Sequence, residues 1–470
     1  MRKTACLPVA LSATSLSATS LFAAAALFAA ALVLLPPATG SRAESALQAA
    51  PAGWSLKGVV LLSRHGLRGP TKPVRCDGSP PATCLDAYAE RPWPDLQVSA
   101  GHLTLPGYQR AATLGRFYRD QYAAAGLLPA AGCPDRDALA FRADTDERTI
   151  MTAGAVMDGM FPGCALRPVA IEPQLFRSPA CGIDRQAALG AAQGVAGGSW
   201  AALAQGALRG PLAAMDRVLG RFDAAACAAH GATAPCTLAT IPFAAGTQGP
   251  IGIAGPLSEQ FLMQYGGGLS GDAVAWGRLP AATGLPLAAA VGHVNAIHAA
   301  SIGHALMAPD RAAKLGSLPL HRIRAALQAL AAGRGPAFTF LAGHDTTILA
   351  VAGLLGLDWQ LESYAPLQVP PGAGLAFELW LPPADPATKA QGEPVVRLVF
   401  MAQTIAQLHS NAALDPGNPP ASEMLSIARC GGGPESSQGA MPMACPLAAF
   451  RRIAAATIDG ACLGLAAADK

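Results

Sequence analysis

The stretch GVVLLSRHGLRGPTK, Gly58 to Lys72, decides the fold. Its first part is an uncharged, apolar run. Its second part crowds Arg64, His65, Arg68 and Lys72 together. A short apolar run that ends in polar residues reads as a strand buried on both faces. Crowded cations repel one another unless an anion joins them. In open α/β sheets, ligands bind just beyond the carboxyl ends of the strands. The stretch therefore points to an α/β protein with an anion site at the end of its first strand.

Working outward, residues 55–63 form that strand, and a polar, Pro-rich loop follows to about residue 102. Thr104 caps a helix predicted through Ala125, with Leu114, Tyr118 and Tyr122 on one face and Gly126 as its stop. Residues 138–144 (ALAFRAD) read as a second strand. Asp144-Thr-Asp-Glu-Arg-Thr149 then opens a helix running toward Phe161-Pro162. Residues 337–343 make a third strand, which leads into His344-Asp345-Thr346-Thr347 and an apolar helix ending at Gly356. Residues 374–381 and 395–402 read as two more strands. The middle, 183–300, is rich in Ala and Gly and poor in strand signals, so it reads as a mostly helical insertion. CGGGPESSQG, residues 430–439, reads as a loop.

The N-terminus begins with Arg2 and Lys3 and continues as a run without charge. It ends in LFAAAALFAAALVLLPPATG and the small-x-small site Ser41-Arg42-Ala43. This is the pattern of a secretory signal, residues 1–43, and it predicts a periplasmic or secreted protein with no stable membrane association after cleavage. Removing Arg2, Lys3 and Arg42 from 33 basic residues leaves 30, against 30 acidic ones. A neutral chain without a basic tail argues against a nucleic-acid partner. Apart from Cys6, ten cysteines remain, an even number in an exported chain, and disulfides are expected. Spacing alone suggests Cys76 with Cys84, Cys227 with Cys236, and Cys430 with Cys445. No CxxC or paired-His cluster suggests a zinc site.

Three strand-to-helix junctions carry polar clusters: Arg64-His65, Asp146-Glu147-Arg148 and His344-Asp345. Arginine presents a planar fork that matches two phosphate oxygens, so Arg64, Arg68 and Arg148 suit a phosphoryl group. A neutral imidazole attacks phosphorus, and cations beside His65 keep it neutral in mild acid. Asp345, at a helix start, suits the proton donor to a leaving alkoxide. The remaining histidines, such as His293, His298 and His304, sit on a helical spacing and read as packing or surface groups.

RHGLRGPTK near the mature start, ADTDERT some 75 residues later and GHDTT in the last third together resemble the histidine acid phosphatase family, on the side of its periplasmic bacterial phytases. The likeness extends over nearly all of residues 54–465, including LTLPGYQR, AGLLPAAGCP and the PPG at 370–372. It implies an α/β fold with a phosphoglycerate-mutase-like three-layer core, built from 44–182 and 301–470, and a helical lid, 183–300. It also implies a covalent phosphohistidine mechanism with no metal or other cofactor, acting on a small-molecule phosphate monoester. In that family's terms His65 is the nucleophile and Asp345 the proton donor. Arg64, Arg68, Arg148 and His344 hold the phosphate. Thr71 and Lys72 contact the substrate, and Asp144 lines the pocket. The Thr-Lys pair and the DxDER pattern favour phytate. A glucose-1-phosphatase-like or broad-specificity enzyme of the same fold is the alternative. The sequence departs from the phytase pattern at Thr347, where Asn is usual. The family's disulfides carry over as Cys133–Cys164, Cys181–Cys462, Cys227–Cys236 and Cys430–Cys445, with Cys76–Cys84 as an extra pair. A monomer is expected.

Overall fold

The computed structural model describes residues 50–77, 82–177, 181–182, 198–244, 247–385, 392–430 and 441–464. The expected signal segment and nearly all of the 430–439 loop lie outside them.

Strand β1 (Ser55–Arg64) lies inside an eight-stranded sheet together with β2 (Leu139–Ala143), β3 (Ala170–Ile171), β4 (Phe338–Gly343), β5 (Gly374–Leu381), β6 (Val395–Ala402), β7 (Ala421–Leu425) and β8 (Cys445–Pro446). The order is β3-β2-β4-β1-β5-β6-β7, with β8 also paired to β6. β1 runs parallel to β4 and antiparallel to β5. Its apolar run is continuous because both faces are covered. Val59 and Leu61 pack with helices α1 (Leu105–Ala124) and α2 (Glu147–Met160), while Val60 and Leu62 pack into the core on the opposite face. All four are fully buried, and each such side chain contributes about 1.5–3 kcal/mol relative to exposure. The opposite layer includes helices that come later in the chain, introduced below.

Between the two halves of the sheet the chain is helical: α3 (Trp200–Gln205), α4 (Arg209–Leu219), α5 (Ala224–Ala229), α6 (Pro250–Gly266), α7 (Leu279–Thr283) and α8 (Leu287–Met307). The last of these runs straight through residue 300. Then come α9 (Pro309–Ala331), α10 (Asp345–Leu355), α11 (Ile405–Ser410) and α12 (Leu447–Thr457). α9, α10 and α12 cover the face of the sheet opposite α1 and α2. This is the α/β, three-layer arrangement the sequence indicates, with a helical region inserted.

The five cysteine pairs are Cys76–Cys84, Cys133–Cys164, Cys181–Cys462, Cys227–Cys236 and Cys430–Cys445. Among the described residues no helix is long and apolar enough to cross a membrane.

Candidate active site

The order β2-β4-β1 sets three strand ends side by side. Arg64 is level with Gly343, and Ala143 with Ala342. The residues that follow, His65, Asp144 and His344-Asp345, therefore leave the sheet at one level on one edge. The backbone fixes His65 firmly. Its N–H donates to Gly343 O at 2.9 Å and its carbonyl accepts from Gly372 N at 3.0 Å. Its ring Nδ1 lies 2.9 Å from Gly66 O. A carbonyl oxygen only accepts, so Nδ1 carries the proton and Nε2 keeps a lone pair. The ring is buried, and burial together with the charges of Arg64, Arg68, His344 and Arg148 holds its pKa well below the usual histidine value. The imidazole is neutral in mild acid.

Arg64 is 1% exposed. It donates through Nη1 to Val369 O at 2.6 Å, and its Nη2 meets Glu259 and lies 3.0 Å from Asp345 Oδ2. Arg68 Nη2 reaches the other oxygen of Glu259 at 2.7 Å. One acid from α6 thus receives a hydrogen bond from each of two arginines that flank the histidine. His298 of α8 completes the group, with Nε2 3.2 Å from Glu259 Oε1 and 3.6 Å from Asp345 Oδ2. Burial alone would raise the pKa of Glu259, but His298, Arg64 and Arg68 outweigh it and hold the carboxyl well below its usual range. Burial would likewise raise Asp345, but Arg64 and His298 hold it ionised far into acid. Burial works against a charge on His298, yet Glu259 and Asp345 push its pKa up to about 9.

On the other flank, His344 sets its ring edge-on to that of His65, centroids 5.6 Å apart. Its Nε2 donates to Asp144 Oδ2 at 2.7 Å and lies 3.5 Å from Asp146. Asp144 is held in turn by Thr149 Oγ1 at 2.6 Å and Asp146 N at 3.1 Å. Arg148, in the first turn of α2, pairs with Asp146 and reaches Gly101 O at 3.4 Å. Arg64, His65, Arg68, Asp144, Arg148, His344 and Asp345 are therefore linked around one point. Thr71 is exposed beside Gly101, next to Arg148. Lys72 stands outside the linked group. It is exposed, with Nζ 5.9 Å from the Tyr88 ring, and Tyr88 OH meets His230 Nε2 of the helical region at 3.0 Å.

Two members were not foreseen. His298, expected to be a packing or surface group, is buried against Asp345, and Glu259 is not among the residues the sequence singles out. A signal was present for both. Glu259 is the only Asp, Glu, Lys or Arg in residues 250–266, and residues 287–307 hold none, so a titratable group in either mostly apolar helix is buried and needs a partner. Sequence alone does not name that partner. Asp345 stands at a helix start, as expected. It is the first residue of α10, behind an extended His344, and its Oδ1 accepts from Thr346 N at 2.7 Å.

Among the described residues, Glu259, His298 and Asp345 form one set of ligand-type atoms close enough for a metal, and Asp144, Asp146 and His344 another. Arg64, Arg68 and Arg148 already supply positive charge to these carboxylates. A third group, Cys181, Asp459 and Cys462, contains a disulfide.

Residues 55–193 match the family described as Histidine phosphatase superfamily (branch 2). The chain is 29% identical to Phytase AppA of Escherichia coli (strain K12), over 90% of this chain and 96% of that one. It is 26% identical to Glucose-1-phosphatase of Salmonella typhimurium, over 85% and 93%. Among solved structures, Hafnia alvei phytase in complex with tartrate superposes with a TM-score of 0.72 at 29% identity, over 88% of this chain and 99% of that one.

Proposed function

Because the chain belongs to the histidine phosphatase superfamily (branch 2) and is a phosphoric monoester hydrolase, we propose that it hydrolyses phytate through a covalent phosphohistidine on His65. The observation that carries this reading is the state of His65: a buried, neutral ring with its proton held on Nδ1 by Gly66 O and Nε2 free among arginines. In the first step Nε2 attacks phosphorus and the bond to the alcohol oxygen breaks. Arg64, Arg68 and Arg148 bear the charge that gathers on the phosphoryl oxygens, and His344, oriented by Asp144, donates to one of them. Asp345 protonates the departing alkoxide. It then takes a proton from the water that releases inorganic phosphate. Arginines do here what a metal does elsewhere, so activity is expected without metal. Exposed Thr71 and Lys72 suit a second phosphate of a polyphosphorylated substrate. The match to Hafnia alvei phytase in complex with myo-inositol hexakis sulphate favours phytate over a sugar monophosphate. Export to the periplasm fits the N-terminal pattern.

The test compares phytate, glucose 1-phosphate and p-nitrophenyl phosphate with the mature chain in the presence of EDTA. Phytate is expected to be cleaved faster than glucose 1-phosphate. His65→Ala is expected to abolish turnover of all three. Asp345→Asn is expected to slow phytate roughly 10²–10⁴-fold and the nitrophenyl ester much less, since nitrophenolate leaves without a proton. Equal loss on both would remove Asp345 from the proton-donor role.

A further inference from the structure

A general acid must carry a proton when the alcohol leaves, yet Asp345 rests as a carboxylate against Arg64, 3.0 Å away. The proton must be delivered to it. Among the described residues, four groups face this carboxylate. Thr346 N–H holds Oδ1 at 2.7 Å and Arg64 holds Oδ2. Glu259, beyond Arg64, has no proton to give. His298 presents Nε2 to that same Oδ2 at 3.6 Å, and the same nitrogen lies 3.2 Å from Glu259 Oε1. Neither a backbone amide nor a guanidinium releases a proton in the working range. The imidazolium of His298 does, and it is 8% exposed, away from bulk water.

We infer that His298 is the proton reservoir of Asp345, a positioning residue that acts only through that acid, with Glu259 as the anion that keeps it loaded. This rests on the proton-donor role given to Asp345 above. A bound phosphoryl group draws on Arg64 and weakens its hold on Asp345. The Nε2–H bond of His298 then breaks and an O–H bond forms on Asp345 Oδ2. That O–H breaks in turn as its proton passes to the alcohol oxygen, while the bond from phosphorus to that oxygen breaks and the bond to His65 Nε2 forms. In the second half-reaction water attacks phosphorus and the P–N bond breaks. The water proton goes to Asp345 and on to His298, which restores both groups.

The charges around His298 are consistent with this role. Glu259 comes from α6, Asp345 from α10, Arg64 from the end of β1 and Arg68 from the loop after it. Glu259 raises the proton affinity of His298 whether or not the site is filled, while Asp345 competes for the proton only once Arg64 is engaged elsewhere.

The test measures kcat against pH for His298→Gln and the parent enzyme, on phytate and on p-nitrophenyl phosphate. His298→Gln is expected to lower kcat on phytate roughly 10–100-fold, a part of the general-acid effect, with KM little changed. On the nitrophenyl ester the change is expected to stay within about threefold. The alkaline limb of the phytate profile is expected to move to lower pH. Equal loss on both substrates, or an unmoved alkaline limb, overturns the inference. A second measurement needs no variant. In mixtures of light and heavy water the unaltered enzyme is expected to show a curved dependence of kcat on deuterium content for phytate, as two protons move, and little dependence for the initial burst of nitrophenolate, which reports the first half-reaction alone. A straight line for phytate overturns it. Should Asp345→Asn lose both substrates equally, the underlying reading fails. Should Asp345→Asn be selective and His298→Gln not, only the reservoir fails.

Discussion

If Arg64 and Arg68 hold a phosphoryl group as proposed, Glu259 competes with it for both. Its two carboxylate oxygens hold Arg64 and Arg68 in the apolar interior, so it both neutralises the arginines and opposes an incoming anion. Replacing it with Gln leaves buried cations without their counter-charge, and breaking such a pair costs about 3–5 kcal/mol. The expected result for Glu259→Gln is a lower melting temperature in plain buffer and a larger rise on adding inorganic phosphate than the parent shows. Equal rises would mean that Glu259 does not compete with the ligand. The same cluster sets a pH dependence of stability. His298 has a folded pKa pushed up to about 9, above its ordinary 6.5. Its contribution is fully present below pH 6.5 and is lost as pH rises from there through 9. Glu259 and Asp345 are held below their ordinary values, so their contribution is present above the usual carboxylate range and persists well into acid. Denaturant midpoints are expected to fall between pH 6.5 and 9, and His298→Gln is expected to flatten that fall. At this scale the residues beside strand ends were legible, because RHG and HD stand together in the chain. Glu259 and His298 were not, because each meets its partners only through helix packing across long stretches of sequence.

The elements that carry the arginines depend on close helix contacts. Thr104 caps α1 by accepting from Gly107 N at 3.0 Å, and its hydroxyl donates to Leu67 O at 3.1 Å. This ties the helix start to the loop that contains Arg68. A side chain on Gly107 would fall on the same Leu67 carbonyl. Gly107→Ala is therefore expected to push α1 off that loop, to lose about 1–3 kcal/mol and to reduce turnover sharply. Gly154, inside α2, has open space at the corresponding point. Gly154→Ala is expected to leave turnover unchanged and to raise stability by up to about 1 kcal/mol. Melting curves and turnover for the two variants separate packing from propensity. The strong elements were legible within a residue or two. α1 starts after Thr104, α10 ends before Gly356 with its left-handed φ of 68°, and β5 and β6 have the expected limits. The short strands β3, β7 and β8 were not. β3 and β8 have two residues each and exist because a longer neighbour offers them a ladder, which no local pattern announces.

At the scale of the whole molecule, Cys181 and Cys462 join points 281 residues apart. Closing so long a loop stabilises by up to about 5 kcal/mol in the chain-entropy account. Replacing both cysteines with Ser is expected to lower stability by roughly 2–5 kcal/mol, and peptide mapping without reduction is expected to recover all five linked pairs. Sequence suggested the short pairs by spacing, whereas the long ones followed only from family likeness, because spacing says nothing about closure across a whole fold. The sheet order has a further consequence, one for the growing chain on the ribosome. β1 ends at Arg64, but its two neighbours begin at Phe338 and Gly374. At roughly 5–20 residues per second, the strand that leads to His65 waits on the order of 15–60 s for its first partner. Throughout that interval Val59–Leu62 is an uncharged β-forming segment open to other chains. Arg64, Arg68 and Lys72 follow it directly, and charges flanking such a segment act as gatekeepers against aggregation. The cations proposed to grip phosphate are thus also placed to guard the nascent strand during synthesis.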